Sequence, residues 1–324
     1  MRYRKFGRTG LEVSELVFGG GWVGGVLVHA EDEMKRTAVR RAIEAGINWI
    51  DTAPSYGDGK SETALGWLLP ELGVAPYLST KVRIELDDLD DIRGQVERSV
   101  AQSLERLQRD NVDLLQLHNP LGAETDGTLL GVEHVIGPHG VADAFERLRE
   151  QGLFRFVGIT ALGEARACID VIESGRFDSA QVYYNMLNPS ADHAMPAAWS
   201  GHDFSGIVDA CERRDVAVMA IRILAAGVLA TDERHGREVV VTRDSSIERE
   251  EARARAVFAA LGDAYGSRAQ TAVHYVLSNS RLACAIIGLA TPEHLEQALA
   301  AQAAGPLPAD ALQRLARVHE SGFQ

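Results

Sequence analysis

Ile47-Asn48-Trp49-Ile50-Asp51 is a short apolar run closed by a carboxylate, and the chain continues Thr52-Ala53-Pro54-Ser55-Tyr56-Gly57. A near-continuous hydrophobic run describes a strand covered on both faces. Pro54 and Gly57 then turn it into a loop. The same pattern recurs on both sides. Before it comes VSELVFGG, ending at Gly20; after it come YLSTK, ending at Lys81, and VDLLQLH, ending at His118. FRFVGIT, SAQVYYN, VAVMAIR and LACAIIG follow, ending at Thr160, Asn185, Arg222 and Gly288. Eight such runs are expected to be parallel strands.

Segments of helical period separate them. Ile92, Val96, Val100, Leu104 and Leu107 step by three or four and form one apolar stripe. Ala165, Cys168, Ile169 and Ile172 form another, as do Phe204, Ile207, Val208 and Cys211, and then Leu295, Ala298 and Leu299. Strand–helix alternation repeated eight times predicts an α/β fold, a (β/α)8 TIM barrel occupying residues 1–324 as a single domain. An open doubly wound sheet is the alternative. The opening RYRKFGRTGLEV reads as an N-terminal β-hairpin beneath the barrel. Long loops, Asn119 to Gly140 and Leu229 to Glu250, follow the fourth and seventh strands, on the C-terminal face where such barrels carry their sites.

Composition narrows the function. The 324 residues carry a net charge of −13 with no cluster of Lys and Arg, which argues against a nucleic-acid partner. No run of about 18 apolar residues suggests a membrane partner, and the start MRYRKFGRTG lacks a signal peptide's apolar core. Cys168, Cys211 and Cys284 are odd in number and sit in apolar segments, so they read as buried thiols of a cytoplasmic protein.

Chemistry is read from where polar residues fall. Asp51, Lys81 and His118 each close a strand, and Tyr56 lies in the loop after the second. Singly, each has a bland explanation: a turn cap, a solvent-facing cation, a structural imidazole. In a barrel all four converge on one rim, and that joint arrival singles them out as catalytic. Gly19-Gly20-Gly21-Trp22-Val23-Gly24 satisfies a dinucleotide-binding fingerprint, but no helix opens at once after Gly24 and the four rim residues would go unexplained. Glu133, His134 and His139 lack an established metal spacing and read as solvated loop residues, so no metal is expected.

With these residues in place the chain resembles the aldo-keto reductase family. The resemblance rests on Asp51 to Gly57, on Ser79-Thr80-Lys81 and on Leu115-Gln116-Leu117-His118-Asn119. Arg8-Thr9-Gly10-Leu11 with Val13-Ser14 resembles the family's hairpin and first strand, and weaker similarity runs through Val157-Gly158-Ile159, Gln181 to Asn185 and Ala225 to Leu229. The resemblance implies that Tyr56 is the general acid/base, tuned by Lys81 and Asp51, with His118 orienting the carbonyl. It also implies cofactor contacts at Thr160, Gln181 (with Tyr184 or Asn185 nearby), Leu224, Gly227, Gly288 and His294. Arg222, at the end of strand seven, reads as a guanidinium for the cofactor pyrophosphate or for an anionic or polyhydroxylated substrate, a structural pair with a neighbouring carboxylate being the alternative. Asn119 and Trp22 are expected to line the substrate pocket, a packed structural role being the alternative for Trp22. Four positions depart from the family pattern: Ala161 replaces an Asn, Ile221 an aromatic, Arg222 a small hydroxyl residue, and Ala298 an Asn. The loop after strand seven, with Arg234, Arg237, Arg243 and Arg249, is a candidate cofactor clamp.

The chemistry suits the residue types. Reducing a carbonyl needs a hydride and a proton, and a free tyrosine, with a pKa of about 10, gives up its proton reluctantly. An ammonium beside it stabilises the phenolate, and a carboxylate holds that ammonium in place. The expected function is NAD(P)(H)-dependent interconversion of an aldehyde or ketone with its alcohol, NADP(H) favoured slightly over NAD(H). A sugar 1-dehydrogenase running in the oxidative direction and a cofactor-sensing regulatory subunit are the alternatives. The expected partner is a small carbonyl or sugar substrate; oligomeric state is not legible.

Overall fold

The computed structural model describes residues 1–323 apart from 198, 235, 237, 243 and 244. Eight parallel strands close a barrel: Leu16–Gly19, Trp49–Asp51, Tyr77–Val82, Val112–Leu117, Phe154–Ala161, Ser179–Tyr183, Ala217–Ile221 and Cys284–Gly288. Each pairs with the next in sequence, and the eighth pairs back onto the first through Ala285↔Leu16 to Gly288↔Gly19. The barrel expectation holds, and the open sheet is set aside.

Helices cover the barrel as their periodicity requires. In Ile92–Leu107 the residues Ile92, Val96, Val100 and Leu107 are buried, and the Asp91 carboxylate caps the helix by accepting from the Gly94 N–H at 3.1 Å. Gln108, in the left-handed conformation, ends it. Phe204 lies ahead of its expected helix, which runs Ile207–Arg213, and stacks on Tyr183 at 5.4 Å between ring centroids.

The first strand is shorter than the apolar run predicts. Val13 and Ser14 belong instead to the hairpin, whose arms Tyr3–Lys5 and Glu12–Ser14 pair antiparallel. The break falls at Glu15, a buried carboxylate bound by Arg2, Arg4 and Gln302. Arg4 also donates to the carbonyls of Leu277, Asn279 and Leu282 at 2.8–3.0 Å, stitching the hairpin to the chain that leads into the eighth strand. Phe6, between the arms, packs on Trp49 at 4.8 Å, and a cluster with Leu11, Val13, Val17, Leu114 and Met219 plugs the barrel's N-terminal end. Gly7 makes this possible. Its φ is +49°, and a Cβ there would lie 2.5 Å from the Asp215 carbonyl oxygen and 2.7 Å from the Ala217 nitrogen.

The long loops lie at the opposite end. The segment after strand four folds into a small parallel pair, Leu121–Gly122 with Leu130–Gly131, and a helix, Val132–Ile136. After strand seven comes a tight turn at Ala225–Gly227, and among the described residues no helix follows until Ile247. A third long segment, 184–206, had no distinct sequence signal. The fingerprint glycines serve packing. Contrary to expectation a helix does open directly after Gly24, but it is the single turn Val26–His29, and a Cβ on Gly24 would sit 2.5 Å from the Leu289 nitrogen. All three cysteines are free and buried. Among the described residues no helix is long and apolar enough to cross a membrane, and no His/Cys/Asp/Glu group is placed to hold a metal.

Candidate active site

Strands two, three and four are neighbours, so their C-terminal ends bring Asp51, Lys81 and His118 together, and the loop after strand two folds Tyr56 over them. The Lys81 ammonium is fully buried, because its strand lies mid-sheet and its side chain turns into the barrel mouth. It donates to Asp51 Oδ2 at 2.6 Å, to the Thr52 carbonyl at 2.8 Å and to the Tyr56 hydroxyl at 3.1 Å. Burial by itself would lower an ammonium's pKa. Here the facing Asp51 carboxylate, with Tyr56 beyond it, more than offsets that, and the pKa is raised.

The second oxygen of Asp51 is held as firmly. Ser79 Oγ donates to Oδ1 at 2.7 Å, Gln181 Nε2 at 2.9 Å and Gln116 Nε2 at 3.1 Å. Ser79 is in turn fixed by the Trp49 indole N–H at 3.0 Å, which ties the site to the plug below. Ser79 and Gln116 were not singled out from sequence. The signal was available: each sits two residues before a rim residue, Lys81 and His118, on the same strand face.

His118 stands edge-on to Tyr56, with 6.0 Å between ring centroids. Burial, reinforced by the charges of Lys81, Arg83 and Arg222, pushes its pKa down to about 3. The imidazole is therefore neutral at physiological pH, and a neutral imidazole still donates one N–H.

The other expected site residues divide. Thr160 is buried at the end of strand five with its hydroxyl unpartnered. Gln181 is nearby on strand six, but one amide N–H is committed to Asp51. Gly288 and His294 are exposed, and His294 Nδ1 accepts from the Ala290 N–H at 3.3 Å. Trp22, in the first loop, is 42% exposed and edge-on to His29. Leu224 precedes the turn after strand seven and Gly227 is its last residue. Asn119, expected to line the substrate pocket, is completely buried, and its amide clamps both backbone groups of Ile84, accepting at 2.7 Å and donating at 2.8 Å. Tyr184 is buried against Tyr275, and Asn185 braces the backbone of Arg222, Leu187 and Asn188. Of the loop arginines, Arg234 pairs with Glu251, while Arg237 and Arg243 lie outside the described residues.

Residues 15–320 match the family model for the Aldo/keto reductase family. The chain belongs to this family. It is 35% identical to L-galactose dehydrogenase of Arabidopsis thaliana over 162 residues, 49% of this chain and 48% of that one. It is 26% identical to D-threo-aldose 1-dehydrogenase of a Pseudomonas species over 259 residues, 71% of this chain and 72% of that one. The chain thus spans about half the length of the first of these curated relatives. The holo form of an aldo-keto reductase from Bacillus halodurans superposes with a TM-score of 0.75 over 100% of both chains at 22% identity, a likeness of fold.

Proposed function

We propose that the chain is a cytoplasmic, single-domain NAD(P)(H)-dependent oxidoreductase that interconverts an aldehyde or ketone with its alcohol, using Tyr56 as general acid and base. The observation that carries this reading is one buried ammonium, Lys81, bound at once to a carboxylate and to the tyrosine hydroxyl.

Features of the mouth fit a nicotinamide dinucleotide. Thr160 offers an unpartnered buried hydroxyl to an amide. Ala225, Ala226 and Gly227 run in succession at φ of +46°, +55° and +104°, a tight turn beyond strand seven, and a Cβ on Gly227 or Gly288 would meet nothing within 4 Å, which leaves the chain open to a ligand there. Leu224 and His294 border the same rim. The family's cofactor supplies or accepts the hydride, with NADP(H) favoured slightly.

The chain's own residues handle the proton. In reduction, the Tyr56 hydroxyl protonates the carbonyl oxygen as negative charge develops on it. The phenolate left behind is stabilised by Lys81, which Asp51 keeps charged and in place. Neutral His118 donates an N–H to the same oxygen and orients it. In oxidation Tyr56 phenolate takes the hydroxyl proton instead. Trp22, exposed in the first loop, serves in this reading as a substrate wall.

A second reading, oxidation of a sugar at C1, is favoured by the names of two relatives, L-galactose dehydrogenase and D-threo-aldose 1-dehydrogenase. The test is a panel of small aldehydes, ketones and aldoses assayed in both directions with NAD(H) and NADP(H). Turnover of any carbonyl–alcohol pair that is lost in Tyr56→Phe supports the proposal. Tight nucleotide binding without turnover would refute it and point to a sensing role.

A further inference from the structure

Arg222 ends strand seven in an unusual state. Its backbone is left-handed, at φ +58°, a conformation rarely adopted by a side chain of this size. Asn185 holds that conformation by donating to the Arg222 carbonyl at 2.9 Å. The guanidinium donates through Nη1 to the Val239 carbonyl at 2.7 Å and forms no ion pair with any described carboxylate. Glu250 influences it only through space. Strain of this kind, maintained by its surroundings, points to a functional position.

Comparison within the chain sharpens the point. The protein is strongly acidic, and several other partly buried arginines are answered by carboxylates: Arg4 by Glu15, Arg106 by Glu62, and Arg281 by Asp192, Asp209 and Glu212. Arg253 has no such partner but lies over the rings of Trp199 and Phe323 and donates to Ser200. Arg222 has one neutral carbonyl. Its charge is felt at His118 and at Tyr56, as is the charge of exposed Arg83 at His118. An under-compensated guanidinium within electrostatic range of the proton donor calls for an anion from outside the chain.

We propose that Arg222 binds an oxyanion of the substrate, so that the preferred substrate carries a carboxylate or phosphate near its carbonyl. This rests on the oxidoreductase reading of the same site. The nucleotide's pyrophosphate is the competing source of the same chemistry, and the experiment separates the two.

Two measurements are made on wild type, Arg222→Met and Arg222→Lys. The first compares kcat/KM for succinic semialdehyde with butanal, and for glyceraldehyde 3-phosphate with glyceraldehyde. A charge-assisted contact is worth about a 10- to 100-fold preference for a charged member. That ratio should collapse in Arg222→Met and be partly kept in Arg222→Lys. A merely structural arginine would lower both members of a pair together and leave the ratio unchanged. The second is a calorimetric titration of succinate, which requires no turnover, with and without saturating NADP+. Succinate binding that persists beside NADP+ and is lost in Arg222→Met supports the proposal. Wild type with no charged-substrate preference, or succinate binding abolished by NADP+, overturns it. Absence of turnover for every carbonyl refutes the oxidoreductase reading instead, and the titration then decides whether the anion site exists.

Discussion

Replacing Asp51 by Asn is predicted to damage one oxygen of the carboxylate and spare the other. Oδ1 accepts from Ser79, Gln116 and Gln181, and an amide oxygen can accept the same three bonds. The other position would become an NH2 facing the Lys81 ammonium, now 2.6 Å from Oδ2. A buried cation then loses its anion, and breaking one side of such a pair costs about 3–5 kcal/mol. Lys81 keeps the Thr52 carbonyl and the Tyr56 hydroxyl, which places the loss near the lower end, about 3 kcal/mol. Lys81→Met leaves a buried carboxylate with three neutral donors and should cost about the same. In the double variant no unpaired charge remains, and the methionine stem fills the lysine's space. It should lose about 3–4 kcal/mol rather than about 6, a coupling at the upper end of the range for contacting residues. Urea denaturation of the four proteins, with equal m-values as a check, measures the cycle. Additivity within about 0.5 kcal/mol would mean that the two charges do not act as a pair, and the account of a lysine held charged by Asp51 would fail.

Tyr56→Phe, which deletes the proton donor and almost no volume, should lower kcat for carbonyl reduction by about 10²–10⁴-fold. Nucleotide affinity, followed by tryptophan fluorescence, should change little; turnover surviving within a few-fold would remove Tyr56 from its role. His118 makes stability acid-sensitive: its folded pKa of about 3 lies below the ordinary 6.5, so the unfolded chain takes up the proton first and stability falls as pH drops below about 6.5 towards 3. Between pH 7 and 5.5 this residue alone should remove about 1 kcal/mol, and His118→Gln should flatten the denaturation profile by that amount. Gly7→Ala should destabilise by about 1–3 kcal/mol through its left-handed backbone and crowding of Asp215 and Ala217, with the pH profile of turnover unmoved. A neutral effect on Tm would show that the plug tolerates rearrangement.

What could be read from sequence followed from one rule, that a polar residue closing a long apolar run is placed where a barrel opens. Asp51, Lys81 and His118 obey it, and the structure brings them and Tyr56 together. The rule stops at the strand end. Asn119 follows His118 directly, yet successive residues of an extended chain point to opposite sides, and Asn119 turns into the packing around Ile84. Gln116 and Ser79 were hidden inside otherwise apolar runs, although the two-residue period already placed them on the faces of His118 and Lys81. The extent of the first strand was obscured because Val13 and Leu16 are equally apolar. Only the buried Glu15, held by Arg2, Arg4 and Gln302, marks where hairpin ends and barrel begins. Segment 184–206 has no periodic pattern of its own; it is shaped by side-chain bonds of Asn185, Asn188 and Ser190 to local backbone.

The stitching by Arg4 has a consequence for the order in which the molecule is assembled. The guanidinium binds carbonyls of Leu277, Asn279 and Leu282, residues that are synthesised more than 270 positions after Arg4 itself. Until those carbonyls exist, the first strand has a neighbour on one side only, and the edge that will receive Ala285 to Gly288 stays open. Glu15 waits as well, since Gln302 completes its set of donors. Closure of the ring is thus deferred until the eighth strand has been made, and the nascent chain passes through a stage with an unsatisfied parallel edge. Such an edge invites pairing with other chains. A protein truncated just before Leu277 should therefore emerge as an aggregating species rather than as a smaller soluble barrel.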